Sequence, residues 1–181
     1  MNTTPRAISF DLDDTLWACD DVIGRAEEAL YGWLQRNCPR ITAEYDLEAM
    51  RRVRMDTAAV RPDLQADLTR LRHESLVWHA RRAGYDTGLA DAAVEVFLDE
   101  RHRVELYPDV HPVLERLVGR FRLIALTNGN ADVQRTGIGD WFEVAVSAAD
   151  VGAPKPDPAM FERACGSLGI RPGELLHVGD D

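Results

Sequence analysis

Residues 10–17 read FDLDDTLW, and they continue the apolar run AISF of residues 7–10. A short, continuously apolar run is typical of a central strand in a parallel sheet, which is buried on both faces. Three carboxylates, Asp11, Asp13 and Asp14, stand at the end of that strand. Neighbouring carboxylates repel one another and resist burial, so this position requires a compensating partner.

The composition restricts the partners of the chain. Its 181 residues are 45% hydrophobic, which suits one full domain plus a smaller appendage. The formal net charge of -10 repels nucleic acid and anionic membranes, so a phosphate-bearing ligand must be held by local groups. No apolar run reaches the roughly 18 residues that cross a bilayer. The N-terminus MNTTPR leads straight into a strand and not into a signal peptide, so we expect a cytoplasmic protein.

Helical periodicity follows the acidic cluster. Apolar residues recur at three- and four-residue spacing over 20–37, and three further helical patterns cover about 46–59, 63–83 and 89–104. We find no strand pattern between these helices. The stretch 19–105 is therefore predicted to be a helical insertion.

Strands and helices alternate after residue 105. The predicted elements are a helix at 111–119, a strand at 122–127, a short helix after NGNAD, a strand at 143–148, a helix at 158–168 and a strand at 174–179. This alternation predicts an α/β fold, a doubly wound parallel sheet with an inserted helical domain. Residues 1–18 and 106–181 would form the core. A covering helix normally follows a last strand, so we expect part of the C-terminal core to be missing.

Polar residues follow each predicted strand. In open α/β sheets, ligands bind beyond the carboxyl ends of the strands, where the strand order reverses. The residues at these ends are Asp11, Asp13, Thr127, Asn128, Lys155 and Asp180. Converging carboxylates are stabilised by a divalent cation, and Mg²⁺ accepts one or two carboxylates together with waters and a substrate phosphate. The sequence therefore predicts a magnesium site at this edge of the sheet.

The acidic segment itself has an alternating pattern. In a locally extended chain, Asp11, Asp13 and Thr15 would face one side. Asp14 would face away and serve the backbone of the turn.

The remaining groups at this edge suit a phosphate. They are a threonine hydroxyl, the backbone N–H groups of NGN and Lys155, the only lysine among 21 basic residues. A compact ammonium can touch both a nucleophile and a phosphoryl oxygen where a planar guanidinium would need more room. An aspartate can attack phosphorus and give an aspartyl-phosphate that water later hydrolyses.

The motifs DLDDT, LTNGN, GAPKPDP and HVGDD, matched in this order over about residues 7–181, resemble those of haloacid dehalogenase superfamily hydrolases. That resemblance implies a Rossmann-like core with a helical cap of the first class, and a Mg²⁺-dependent phosphatase. It makes Asp11 the nucleophile and Asp13 the general acid and base, which also lends a carbonyl to the metal. The other implied roles are phosphoryl binding by Thr127 and the Asn128 backbone, charge neutralisation by Lys155 and metal binding by Asp180, with Asp181 a weaker candidate.

A closer resemblance concerns the substrate. The NGN motif, the GDWFE that follows it and HVGDD are most similar to bacterial phosphatases acting on flavin mononucleotide and on its phosphorylated ribitylamino-uracil precursor. It implies a small phosphorylated metabolite as the partner and leaves the oligomeric state open. A sugar-phosphate mutase of the same superfamily and a non-catalytic, phospho-accepting receiver-like switch remain alternatives. A carbon–halogen hydrolase usually lacks the second aspartate of DLDDT.

Three other features have two interpretations each. Arg51, Arg52 and Arg54 either grip a second anionic group of a substrate or form a solvated helix face. Trp17 is either a core residue or a ring that stacks on a flat substrate. His177 lies in a strand, where we expect a packed neutral ring and not a catalytic group.

Overall fold

Four parallel strands form the sheet of this computed structural model, which describes residues 4–180. They are β1 (Ala7–Phe10), β2 (Arg122–Thr127), β3 (Val144–Ser147) and β4 (Leu175–Val178). Their spatial order is β3-β2-β1-β4. The chain therefore builds outward from β1 to β3 and then returns to place β4 on the other side of β1. Such a reversal creates a crevice at the carboxyl ends of the strands, and the predicted α/β fold is confirmed.

The chain divides into two compact units. The sheet unit joins the residues up to Cys19 to those from Val104 onward, and the helical unit comprises Asp20–Arg103. The helices are α1 (Cys19–Asn37), α2 (Pro39–Glu44), α3 (Leu47–Val60), α4 (Leu68–Arg82), α5 (Leu89–Arg101), α6 (Val110–Leu117), α7 (Ala148–Val151) and α8 (Pro158–Leu168). Within residues 4–180, none of these helices combines the length and hydropathy that a membrane span requires.

Burial within the sheet follows strand order. All four residues of β1 are buried, as are the last five of β2, whereas β3 and β4 at the edges are partly exposed. Parallel strands that are covered on both faces are apolar at nearly every position. This is why the central strands are the clearest apolar runs in the sequence.

The helical unit has its own hydrophobic core. Side chains of five helices meet there, among them Leu34, Ile41, Met50, Leu76 and Phe97. Aspartates cap two of the helices: Asp46 accepts a hydrogen bond from the Ala49 N–H at 2.7 Å, and Asp67 accepts one from the Arg70 N–H at 2.9 Å. These caps satisfy N–H groups that have no partner inside the helix.

The chain turns sharply after β1. Asp14 has a φ of 58°, in the left-handed region that Asp tolerates better than most residues. Its side chain accepts a hydrogen bond from the Cys19 N–H at 2.9 Å, which confirms that Asp14 serves the turn. The backbone N–H groups of Thr15 and Leu16 both donate to the Leu12 carbonyl. The expectation of an extended chain with Asp11, Asp13 and Thr15 on one side is therefore wrong.

A second difference lies after β2. The predicted short helix after NGNAD is wrong, because residues 133–137 form a turn that leads into a 3₁₀-helix at Gly139–Trp141. The Asp132 side chain accepts a hydrogen bond from the Gln134 N–H at 2.8 Å, and Gly137 adopts a φ of 80°. Such local side-chain bonds offer the backbone an alternative to a helix.

Two short helices were not predicted. Helix α2 has six residues and begins with Pro39 at its first turn, where the missing N–H of proline costs nothing. Helix α7 has four residues, with a capping box between Ser147 and Asp150 and a left-handed Gly152 at its end. Segments this short show too little periodicity to be recognised from sequence.

Candidate active site

Asp11 lies at the carboxyl end of the central strand β1. Its N–H donates to the Val178 carbonyl of β4 at 2.9 Å, so it continues the pairing of the two strands. Only 7% of the residue is exposed. One carboxylate oxygen, Oδ1, accepts a hydrogen bond from the Leu12 N–H at 2.8 Å. The strand end thus holds a buried carboxylate in a defined orientation.

Lys155 supplies the counter-charge to that carboxylate. Its Nζ lies 2.8 Å from Asp11 Oδ2, with the two side chains 3% and 9% exposed. Buried charges are tolerated in proteins when they are paired, as they are here. This contact joins a residue behind β1 to one in the loop between α7 and α8, as their positions behind separate strands of one sheet led us to expect.

Asn128 fixes the loop that carries Lys155. Its Oδ1 accepts a hydrogen bond from the Lys155 N–H at 2.6 Å, and its Nδ2 donates to the Lys155 carbonyl at 3.1 Å. The sequence predicted a role only for the backbone of Asn128. Its side chain thus has an additional function, which is to position the lysine.

Thr127 ends β2, the strand beside β1. The residue is 3% exposed, and its hydroxyl oxygen accepts a hydrogen bond from the Gly129 N–H at 2.9 Å. The register pairs Phe10 with Ala125, so Thr127 lies only two residues beyond the last paired position of β1. Thr127 and Asp11 therefore emerge at the same end of adjacent strands.

Asp13 is held by a residue that the sequence did not assign to the site. Its Oδ1 accepts a hydrogen bond from the indole Nε1 of Trp17 at 2.9 Å. The Trp17 side chain is fully buried, and the residue forms an antiparallel bridge with Leu106. With no exposed ring face, Trp17 does not stack on a substrate, so that interpretation is wrong. A buried indole needs a hydrogen-bond acceptor, which would have been a signal for this contact.

Asp180 follows β4 and is exposed. The pairing of Phe10 with Val178 aligns the ends of β1 and β4, and neighbouring strands lie about 4.8 Å apart. Asp180 makes no hydrogen bond or ion pair to any of residues 4–180. Its carboxylate is therefore available for a ligand, whereas Asp181 lies outside the described residues.

These donors fit the chemistry of a magnesium site. Within residues 4–180, no three His, Cys, Asp or Glu side chains form a group that could hold a metal. Magnesium, however, is usually bound through one or two carboxylates, with waters and substrate phosphate as the other ligands. The carboxylates of Asp11 and Asp180 with the carbonyl of Asp13 would supply such an oxygen-only set.

Hydrogen bonds describe two of the other sequence features. Arg51 and Arg54 of α3 donate to the buried carboxylate of Glu27, although the Arg51 side chain is still 44% exposed. His177 is a packed ring, as expected, with its Nδ1 2.8 Å from the Ser9 hydroxyl and its edge against Phe161.

The fold and the strand-end residues together define a Rossmann-like parallel α/β core with a buried aspartate–lysine pair at its central strand. A family profile described as haloacid dehalogenase-like hydrolase matches residues 5–181, and the chain belongs to that family. The predicted family is thus confirmed.

Three relatives illustrate the range of the family. The chain is 34% identical to the 5-amino-6-(5-phospho-D-ribitylamino)uracil phosphatase YigB of Escherichia coli, over 97% of this chain and 75% of the relative. It is 32% identical to a glyceraldehyde 3-phosphate phosphatase of Methanopyrus kandleri, with the same two coverages. A crystal structure titled 2-haloacid dehalogenase from Pseudomonas syringae superposes with a TM-score of 0.92, at 38% identity, over 98% of this chain and 79% of that chain.

Proposed function

We propose that this protein is a Mg²⁺-dependent phosphatase that hydrolyses a small phosphorylated metabolite through an aspartyl-phosphate on Asp11. The observation that carries the proposal is the buried Asp11–Lys155 pair at the end of β1, with Asp13 held two residues further on. A nucleophile, a fixed positive charge and a second carboxylate are the groups that phosphoryl transfer to an aspartate requires.

The reaction would begin with attack of an Asp11 carboxylate oxygen on phosphorus. The bond from phosphorus to the leaving alkoxide breaks, and Asp13 donates a proton to that oxygen. Water then attacks the phosphorus of the aspartyl-phosphate, with Asp13 accepting its proton, and inorganic phosphate is released with Asp11 restored. The hydrogen bond from Trp17 keeps Asp13 in place through both steps.

The other residues would bind and neutralise the phosphoryl group. Lys155 offsets the charge that develops on its oxygens, and the Thr127 hydroxyl and the Asn128 backbone N–H bind two of them. Asp11, Asp180 and the Asp13 carbonyl would hold the Mg²⁺. When bound, the cation withdraws negative charge from the phosphoryl oxygens.

The substrate class is suggested by the relatives. The E. coli relative is named as a phosphatase of a phosphorylated ribitylamino-uracil, so this compound and flavin mononucleotide are the first substrates to test. The M. kandleri relative is named for a three-carbon sugar phosphate, so short sugar phosphates come next.

A carbon–halogen hydrolase is the second candidate, because the P. syringae relative carries that name. Both reactions would start with attack by Asp11, on phosphorus in one case and on carbon in the other. A halide leaves as a stable anion, whereas an alkoxide needs a proton. Asp13, which would supply that proton, favours the phosphatase.

The test is a release assay on the purified protein with and without Mg²⁺. The panel contains flavin mononucleotide, the ribitylamino-uracil phosphate, nucleotides, sugar phosphates and 2-chloropropionate, and both phosphate and chloride are measured. We expect Mg²⁺-dependent phosphate release, lost in Asp11→Asn and retained in the control Asp140→Asn, which changes an exposed aspartate. Chloride release without phosphate release would contradict the proposal.

A further inference from the structure

The segment that carries Lys155 lies at the surface of the sheet unit, with the lysine turned inward. Pro154 and Pro156, on either side of it, are exposed, whereas Lys155 itself is buried. Proline has no backbone N–H, so the N–H of Lys155 is the only backbone donor of residues 154–156. The partner of that N–H therefore has a large share in fixing the position of the lysine.

Asn128 pairs with both backbone groups of Lys155. Its Oδ1 accepts a hydrogen bond from the Lys155 N–H at 2.6 Å, and its Nδ2 donates to the Lys155 carbonyl at 3.1 Å. Both polar atoms of the amide are thus bonded to the backbone of the lysine. The turn that carries Asn128 is itself fixed at the end of β2, where the Gly129 N–H donates to the Thr127 hydroxyl at 2.9 Å. The amide therefore links a fixed strand end to the lysine segment.

A cavity adjoins the lysine segment. Lys155, Pro156, Phe161 and His177 line it, and its volume is about 280 Å³. This is room for several water-sized groups, so side chains do not fill the space beside the segment. The wall formed by His177 is fixed, because its Nδ1 lies 2.8 Å from the Ser9 hydroxyl and its ring packs edge-on against Phe161. The lysine segment is the wall that has room to move.

We propose that the side chain of Asn128 is a positioning group that acts only through Lys155. It holds the ammonium on Asp11, and without it residues 154–156 move toward the cavity and the ammonium leaves the carboxylate. The pair is sensitive to such a movement, because Lys155 Nζ lies 2.8 Å from Asp11 Oδ2 and Coulomb attraction falls with distance. The effect on turnover rests on the proposed function, whereas the effect on Lys155 does not.

The single lysine of the chain makes this movement measurable without turnover. An N-hydroxysuccinimide ester of acetic acid labels amines, which here are Lys155 and the N-terminal amine, so the second serves as the internal reference in mass spectrometry of the digested protein. In EDTA, the acetylation rate of Lys155 relative to that reference should be low in the wild type. It should rise about tenfold in Asn128→Ala, the effect expected from losing two hydrogen bonds. An unchanged relative rate would refute the proposal.

Two further variants control for a general loss of stability. Asn37→Ala removes another amide side chain, which donates to the Trp33 carbonyl at 2.8 Å in the helical unit, and it should leave the relative rate unchanged. Asn128→Asp keeps the shape and the acceptor for the Lys155 N–H but loses the donor to the carbonyl, so it should raise the rate by less than Asn128→Ala. It replaces Asn128→Ala if that variant fails to fold. An equal rise in Asn37→Ala would assign the labelling to unfolding and contradict the proposal.

Crystal structures of the wild type and of Asn128→Ala would locate the lysine segment directly. In the variant, Pro156 should lie closer to Phe161 and His177, and Lys155 Nζ should lie beyond hydrogen-bond distance of Asp11. A variant that keeps residues 154–156 and the ion pair in the wild-type position would overturn the proposal.

Turnover distinguishes positioning of the lysine from direct binding of substrate. Asn128→Ala should lower kcat/KM for p-nitrophenyl phosphate in the wild type and should have no further effect in Lys155→Met, because the group through which it acts is then absent. A side chain that binds substrate itself, or one with a purely structural role, would lower kcat/KM equally in both backgrounds and refute the proposal. A wild type that releases no phosphate would contradict the proposed function, while the acetylation rates would still decide the role of Asn128.

Discussion

Replacing Lys155 with methionine perturbs the electrostatic centre of the site. The ammonium lies 2.8 Å from Asp11 Oδ2, and the two side chains are 3% and 9% exposed. Methionine keeps an apolar stem of similar length, so the main change is that the Asp11 carboxylate stays buried without its counter-ion. Breaking a buried ion pair in this way costs about 3–5 kcal/mol. In a chain of this size that corresponds to a drop in melting temperature of roughly 10 °C.

The assay is urea unfolding followed by circular dichroism, in EDTA so that no divalent cation replaces the ammonium. Lys155→Met, Asp11→Asn and the double variant form a cycle. The double variant removes both charges, so it should be more stable than the sum of the single losses predicts, by about 1–3 kcal/mol. The control Arg163→Met, on an exposed face of α8, should change stability by no more than about 0.5 kcal/mol. Additive losses in the cycle would refute a direct interaction between Lys155 and Asp11.

Three further predictions concern the second carboxylate, the metal and the helical unit. Trp17→Phe keeps the buried ring but removes the N–H that donates to Asp13. Turnover of alkyl phosphates should therefore fall at least about tenfold more than that of p-nitrophenyl phosphate, whose leaving group needs little acid catalysis. Equal losses on both substrates would contradict an effect of Trp17 on catalysis through Asp13. EDTA should stop phosphate release, and added Mg²⁺ should restore it. The variant Asp180→Asn should require more Mg²⁺ for its half-maximal rate. Phosphate release in EDTA would exclude a role of Mg²⁺ in the reaction. Burial lowers the pKa of His79 to about 4, so the folded state keeps the ring neutral while the unfolded chain protonates it near its ordinary value of 6.5. The free energy of unfolding should thus be fully maintained above pH 6.5 and decline by up to ~3 kcal/mol as the pH falls to 4. In urea titrations, His79→Phe should flatten that decline. An unchanged decline in the variant would assign the pH dependence to other groups.

The positions of the strand-end residues could be predicted because they depend on topology alone. Parallel strands place their carboxyl ends at one edge of the sheet. At that edge must emerge Asp11 behind β1, Thr127 at the end of β2 and Asp180 behind β4. The apolar runs of the buried strands marked where each strand ends. Nothing beyond this periodicity was needed to bring these residues to one edge.

The contacts around these residues could not be predicted, because they depend on turns and on distant segments. The left-handed backbone at Asp14 turns the chain directly after Asp13, and no periodic pattern predicts it. The clamp from Asn128 onto Lys155 joins loops 27 residues apart in the sequence. The hydrogen bonds from Arg51 and Arg54 to Glu27 could not be predicted either, because Glu27 lies on another helix.

The fixed position of Asp13 bears on whether the site suits hydrolysis of a phosphate ester or displacement of a halide. Members of this family named as phosphatases and as dehalogenases are both similar to this chain, and an aspartate behind β1 can attack either phosphorus or carbon. The two reactions differ at the leaving group, since only an alkoxide needs a proton. Here the turn after β1 and the buried indole of Trp17 hold a second carboxylate two residues beyond Asp11. Displacement of a halide would make no use of that carboxylate as an acid, whereas hydrolysis of a phosphate ester would use it in both steps.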